Sequence, residues 1–276
     1  MLVYSLSEAG SIREENQDVL VSLEDSGIFL LADGFGARGR ELAQEVSDRA
    51  VSRLQRLQTQ PSPGYAEHSF RQILKECTSD IIYASVHQPG FQGSSVALGV
   101  VFRHEGHLFL GRFGHVGMLA KVHGNICSMG PASVPPPVAT LANALSPLPQ
   151  ITANTEPHIA GPFPITVGDW VLVCSQGVLL SQPLSEIEPL APALVGADAE
   201  DLVRGLFHRA GQRYDGDDRS MAFLRFLPAD LVRRFPPEQI VSEDYSGTWK
   251  VPLWAPLSVL AAAGTFALLL WRRFTR

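Results

Sequence analysis

The feature that most constrains this chain is the run Leu30-Leu31-Ala32-Asp33-Gly34-Phe35-Gly36, an apolar stretch that stops at an acid and is followed at once by glycines. Such a run reads as a buried strand that delivers one carboxylate into a site at its end. A little upstream, Arg13-Glu14-Glu15-Asn16-Gln17-Asp18 offers a guanidinium, an amide and a second carboxylate near the same strand ends. Oxygen ligands beside an arginine point to a hard divalent cation and a phosphate.

The hydrophobic pattern around this run alternates between two periods. Residues 2–6, 19–23 and 28–32 read as short strands, the last two joined by a turn at Glu24-Asp25-Ser26-Gly27. From Arg40 the period changes: Leu42, Val46, Ala50, Leu54 and Leu57 recur at helical spacing, and Pro61-Ser62-Pro63-Gly64 ends the pattern. Phe70, Ile73, Leu74, Cys77 and Ile81 describe a second amphipathic helix, and two such helices need a sheet to cover. Residues 95–103, 108–113 and 116–122 supply it as an antiparallel meander. The Pro-rich stretch 130–164 reads as an irregular loop. Residues 170–175 form a nearly continuous apolar strand, 201–213 a helix and 220–227 a final strand, with Asp169 closing a turn.

Of 276 residues, Lys and Arg contribute 22 and Asp and Glu 28, a formal charge of -6, and no long basic run interrupts the first two hundred positions. Nucleic acid is therefore not an expected partner. Cys77, Cys127 and Cys174 are odd in number and scattered, which favours buried thiols in a reducing compartment over a disulfide framework or a zinc site. The first residues have neither a basic region nor an apolar stretch long enough for a signal peptide. The other end differs sharply. Residues 251–271 carry no charge, and at the helical rise such a segment spans about 30 Å, the thickness of a bilayer core. Trp249, Trp254 and Trp271 sit near its two ends, and Arg272, Arg273 and Arg276 follow. The basic tail prefers the cytoplasmic side, whereas a leaderless globular domain normally stays in the cytosol; the reading adopted is a single-pass membrane protein with its main domain cytoplasmic.

Beyond the two opening segments, Gly93-Ser94-Ser95, Gly114-His115, Ser175-Gln176-Gly177 and Asp217-Asp218-Arg219-Ser220 follow in order. Together these resemble the metal-dependent protein phosphatases, the type 2C or PPM-type Ser/Thr family, with its Arg-x-x-Asn-Gln/Glu-Asp, Ala-Asp-Gly-Met/His-Gly, Gly-Thr-Thr, Val-Gly-Asp-Ser-Arg, Ser-Asp-Gly and Asp-Asn/Asp-x-Ser/Thr elements. The resemblance implies an α+β fold, a four-layer α/β/β/α sandwich with two central antiparallel sheets, to which the C-terminal transmembrane helix is added. It divides the chain into a phosphatase-like domain at 1–228, a juxtamembrane linker at 229–250, the span at 251–271 and a basic tail at 272–276.

The same resemblance implies two Mn²⁺ or Mg²⁺ ions that activate a water for attack on a phosphoserine or phosphothreonine of a protein partner, with a Ser/Thr kinase as a further possible partner. Asp33 would bridge the metals, the Gly34 carbonyl would serve the second, Arg13 would clamp the phosphate and Asp18 would hold metal waters. The late metal carboxylate falls on Asp217, with the adjacent Asp218 able to compete. Two departures stand against these matches. His115 and Gln176 replace aspartates that the family associates with a third, loosely held metal, the second of which also ligates the first metal, and the family's flap is not found. The first site is then weakened and the third lost, because two anionic ligands have become neutral. Two readings follow, a membrane-anchored phosphatase and a pseudophosphatase that binds a phosphoprotein or kinase without turnover.

Overall fold

The computed structural model describes residues 1–59, 63–130, 156–196 and 198–227. The chain divides into two compact units, Met1–Arg233 and Arg234–Arg276, and every described residue belongs to the first. The predicted linker, span and basic tail at 229–276 lie outside the described residues, as do residues 131–155 of the Pro-rich stretch. Among the described residues no helix is long and apolar enough to cross a membrane.

Among the described residues, ten strands form two antiparallel sheets. Sheet A orders β1 (Leu2–Glu8), β10 (Arg219–Arg225), β9 (Trp170–Cys174), β6 (Gly117–Val122) and β7 (Asn125–Met129). Sheet B orders β2 (Asp18–Leu23), β3 (Ile28–Phe35), β4 (Ser95–His104), β5 (His107–Phe113) and β8 (His158–Pro164). Between β3 and β4 run α1 (Gly39–Gln58) and α2 (Pro63–His87), while α3 (Gln176–Ser181), α4 (Leu184–Ile187) and α5 (Ala199–Arg213) lie between β9 and β10.

The apolar runs explain how these elements stack. In β3, Ile28, Leu30 and Ala32 pack against α1 and α2, whereas Phe29 and Leu31 point the other way into a core shared with Val171, Val173, Ala222 and Leu224 of sheet A. A strand buried on both faces has no polar alternation, which is why the run at 28–32 is continuously apolar. In β9, Val171 and Val173 face that shared core, and Trp170, Leu172 and Cys174 join Val203, Leu206, Phe207 and Ala210 of α5. Three apolar layers thus separate helices, sheet, sheet and helices. Gly99 sets the spacing between the sheets, since a Cβ there would come within 2.6 Å of a Val116 methyl and 3.3 Å of a Val173 methyl.

Two expectations are corrected. Residues 158–164, expected as part of the irregular loop of the Pro-rich stretch 130–164, form β8 at the edge of sheet B, where Pro162 and Pro164, without an N–H, are tolerated. The Pro-rich stretch expected only to end α1 also opens α2, which begins at Pro63. The strand β7 went unread; it returns from β6 through His123 and Gly124, both at positive φ (52° and 76°), the backbone of a tight two-residue hairpin.

The connections sort into two ends. The turns at 24–27, 105–106, 123–124 and 165–169 lie at one end of the sheets. At the other lie the β1–β2 crossover (9–17), the end of β3, the β5–β6 turn, the start of α3 and the α5–β10 segment (214–218). All of the predicted site residues fall at this second end. The helix layer over sheet B is keyed by Phe70, which stacks on Phe102 at 5.9 Å and meets Phe109 at 5.7 Å. Phe70→Ala should cost about 3–5 kcal/mol, read as a lowered urea midpoint with an unchanged m-value; a loss under about 1 kcal/mol would mean that the cluster is not the keystone of this layer.

Candidate active site

The centre of the site is a pair of acids that the sheet register forces together. Asp18 opens β2 and Asp33 lies near the end of β3, directly opposite it in the ladder. Both are buried. Asp33 Oδ2 accepts the Gln176 backbone amide at 2.8 Å. That amide begins α3, whose N-cap residue Ser175 makes no side-chain cap, so a carboxylate from sheet B caps a helix that grows from sheet A. Neither Asp18 oxygen has a hydrogen-bond partner in good geometry. Burial pushes Asp18 up to about 7; the Ser220 and Ser175 hydroxyls draw it partly back, and the charges of Asp218 and Asp217 add to the rise. Asp33 is held well above the usual carboxylate range, first by burial and then by the charges of Asp18 and Asp217, against the pull of the Gln176 amide.

The crossover loop brings Arg13 and Gln17 over this pair. Arg13 NH2 donates to Asp217 Oδ1 at 2.9 Å, its guanidinium lies 5.7 Å from the Phe35 ring centre, and its NH1 donates to Gln17 Oε1 at a long 3.4 Å. Burial alone would lower the Arg13 pKa, but Asp217, with Asp218 and Asp33 behind it, outweighs that and holds it above its ordinary value. Gln17 Nε2 donates to the Gly36 carbonyl at 2.9 Å, and Arg40 reaches back from α1 to the Asn16 carbonyl, so the loop is tied to the segment that follows Asp33.

The adjacent acids differ in their partners. Asp218 is buried, and its two oxygens accept the Gly10 amide and the Gln17 amide, each at 2.9 Å. It is consumed in holding the crossover loop. Asp217 faces the guanidinium instead. Tight backbone stacking keeps the geometry: a Cβ on Gly34 would come within 2.6 Å of the Gln17 carbonyl oxygen, and one on Gly177 within 2.0 Å of the Asp218 carbonyl oxygen.

His115 and Gln176 belong to the same strand ends, since Gly117 pairs with Cys174, but they bring no negative charge. His115 is buried, its Nε2 has no partner, and burial followed by the Arg112 charge lowers its pKa, so the imidazole is neutral at physiological pH. Arg112 is a feature that the sequence pattern did not flag. Buried without an acid, it donates to the carbonyls of Gly114 (2.6 Å), Val116 (3.0 Å) and Gly130 (3.1 Å), and burial lowers its pKa to about 10. A single charge inside a β-run has no periodic signature. Ser175 and Ser220, expected only as members of their motifs, are joined here: the Ser175 Oγ accepts the Ser220 amide at 2.8 Å, which stitches β10 to the start of α3.

Asp217, Asp218 and Asp33 therefore all act on one guanidinium, and both Asp18 oxygens are left without a partner in good geometry. Surplus buried negative charge on hard oxygen donors is what a Mn²⁺ or Mg²⁺ ion satisfies. Asp33 and Asp217, with the Gly34 carbonyl and Asp18, could hold one; among the described residues no three His, Cys, Asp or Glu side chains stand grouped as a ready-made metal nest.

The architecture is shared with solved bacterial phosphatases. The PPM Ser/Thr phosphatase MsPP of Mycobacterium smegmatis, in complex with cacodylate, is 18% identical, with 82% of this chain and 99% of that one covered at a TM-score of 0.59. The catalytic domain of the serine/threonine phosphatase PstP, in complex with two manganese ions, is 19% identical over 80% and 96% at 0.61. PppA, described as a key regulatory component of the T6SS in Pseudomonas aeruginosa, is 21% identical over 81% and 96% at 0.57. No protein-family model matches the chain, and no curated protein matches it by sequence. At these identities the likeness is one of fold.

The two raised acids set the sign of a pH response. In the folded, metal-free protein they keep protons that the unfolded chain has already lost, so stability falls as pH rises from the ordinary carboxylate range through about 7. Thermal unfolding in chelator between about pH 5 and pH 8 should show a falling Tm, and Asp18→Asn should flatten the upper part of that slope. A variant profile as steep as the wild type would place the slope in other groups.

Proposed function

We propose that this chain, folded as a PPM-type Ser/Thr phosphatase, is a metal-dependent phosphoprotein phosphatase tethered to a membrane, acting on phosphoserine or phosphothreonine of a protein partner. The observation that carries the reading is the buried Asp18 and Asp33 pair at facing strand ends, with Asp217 and Arg13 beside it. A fold needs no such charge to be stable: burying unpaired carboxylates costs several kcal/mol, a cost that a catalytic metal site explains.

Bound Mn²⁺ or Mg²⁺ would supply Lewis-acid activation of water and neutralise charge on the phosphoryl oxygens. The chain's own residues do the rest. Asp33, fixed by the Gln176 amide, and Asp217 provide anionic oxygens on either side of the site, and the Gly34 carbonyl is a further donor. Arg13 presents two N–H groups in a plane that matches two phosphate oxygens. Gln17 lies beside Arg13, and Asp18 accepts hydrogen bonds from water held at the site.

A second reading, a pseudophosphatase that binds a phosphoprotein or a kinase without turnover, is favoured by the neutral His115 and Gln176, which weaken the first metal site and remove the third. Membrane tethering rests on the uncharged segment 251–271, flanked by tryptophans and followed by arginines; with it goes a cytoplasmic main domain.

Hydrolysis of an aryl phosphate in a Mn²⁺ titration separates the two functional readings. Wild type should turn over, Asp33→Asn should lose about a hundredfold or more, and His115→Asp with Gln176→Asp should raise turnover and lower the Mn²⁺ requirement. Wild-type activity no greater than that of Asp33→Asn at saturating metal would leave the binding reading. For the anchor, the full chain should sediment with membranes and a chain ending at Ser246 should be soluble; full-length protein recovered without detergent in the soluble fraction would reject the tether.

A further inference from the structure

Arg13 has two claims on it. As a phosphate clamp its guanidinium must be free to meet an anion, yet NH2 donates to Asp217 Oδ1 at 2.9 Å, with 23% of the arginine side chain and 18% of the aspartate exposed. That same oxygen also accepts the Asp218 amide at 3.1 Å. Asp217 is therefore already neutralised, and among the described residues this is the ion pair that reaches the Asp18, Asp33 and Asp217 cluster. We propose that Arg13 is an internal counter-ion of Asp217 that a divalent cation has to displace, so that metal binding and release of the guanidinium toward phosphate are one coupled event. The inference rests on the phosphatase reading above and concerns how that site is regulated.

Three observations support displacement over coexistence. A dication on Asp33 and Asp217 and a guanidinium on the same Asp217 oxygen repel each other at a few ångströms in a largely buried site, where screening is weak. Apart from Asp217, Arg13 is loosely held: its contact to Gln17 is 3.4 Å long and its Nε has no partner. A second contact is already in place, because the guanidinium lies over the Phe35 ring at 5.7 Å, which keeps the cation at the site once Asp217 is claimed.

The consequence is a self-neutralised resting site. Without metal, Arg13 stabilises Asp217 and is unavailable to phosphate; with metal, it swings free at the moment an anion can be used. By linkage, phosphate and metal then each raise the other's affinity by the same factor.

Calorimetric Mn²⁺ titration of the full chain tests this without relying on turnover. Arg13→Ala and Arg13→Gln should each bind Mn²⁺ about tenfold more tightly than wild type, because the ion no longer has to break a partly buried ion pair. The glutamine variant reads the same effect if the alanine variant does not fold. Arg38→Ala removes an equal charge from the rim, where it pairs with Glu41, and should leave Mn²⁺ affinity within about twofold. Equal or weaker binding by the Arg13 variants, or equal tightening by Arg38→Ala, overturns the counter-ion role alone. Absence of Mn²⁺ binding in every protein overturns it together with the phosphatase reading.

Discussion

The site depends on a reciprocal exchange between the two sheets: a carboxylate rooted in each accepts backbone amides presented by the other. Asp33 of sheet B takes the Gln176 amide at the end of β9, and Asp218, at the start of β10 in sheet A, takes the Gly10 and Gln17 amides of the loop leading into β2. Hydrogen bonds from amides to a carboxylate are among the stronger neutral-to-charged kinds, about 1.5–3 kcal/mol each. Here they lock the ends of two sheets whose faces are otherwise joined by non-directional apolar contact. Hydrophobic packing between β3, β4, β6 and β9 sets how far apart the sheets lie; these bonds set how their ends are aligned.

Once those amides are placed, the acids divide into two kinds. Asp218 has both oxygens occupied by backbone amides. Asp18, Asp33 and Asp217 remain gathered at the site with one arginine paired to Asp217, and neither Asp18 oxygen has a hydrogen-bond partner in good geometry. The apolar layers make this tolerable, since dozens of fully buried side chains stand behind a few electrostatically unfavourable ones. They also make it consequential, because the same burial that raises Asp18 and Asp33 strengthens their attraction for a cation.

The neighbouring sector has the opposite character. His115 is buried and neutral, Arg112 carries a buried positive charge spent on three carbonyls, and Gln176 contributes its backbone amide to Asp33. Within one rim, the chain thus sets an anion-rich half against a neutral-to-cationic half.

Much of this was legible in the residues. The run ending at Asp33 announced a strand buried on both faces, because only such a strand lacks alternation, and the spacing of Leu42 to Leu57 announced the helix that covers it. Arg13, Asp18 and Asp33 were readable as a site because their order resembles a known pattern. What stayed hidden was whatever depends on a partner distant in sequence. β8 looked like loop because prolines seldom enter strands, and only its place at a sheet edge excuses them. Arg112 left no trace because its partners are carbonyls, which every residue has. Asp217 and Asp218 are adjacent and chemically identical, and only the resemblance to the family's motif favoured Asp217. The fold ranks them by direction: one turns toward amides across the sheet boundary and the other toward a guanidinium more than two hundred residues away in the chain. Periodicity encodes which face of an element is buried, a local property of the chain; the assignment of donors to acceptors is a property of the packed whole.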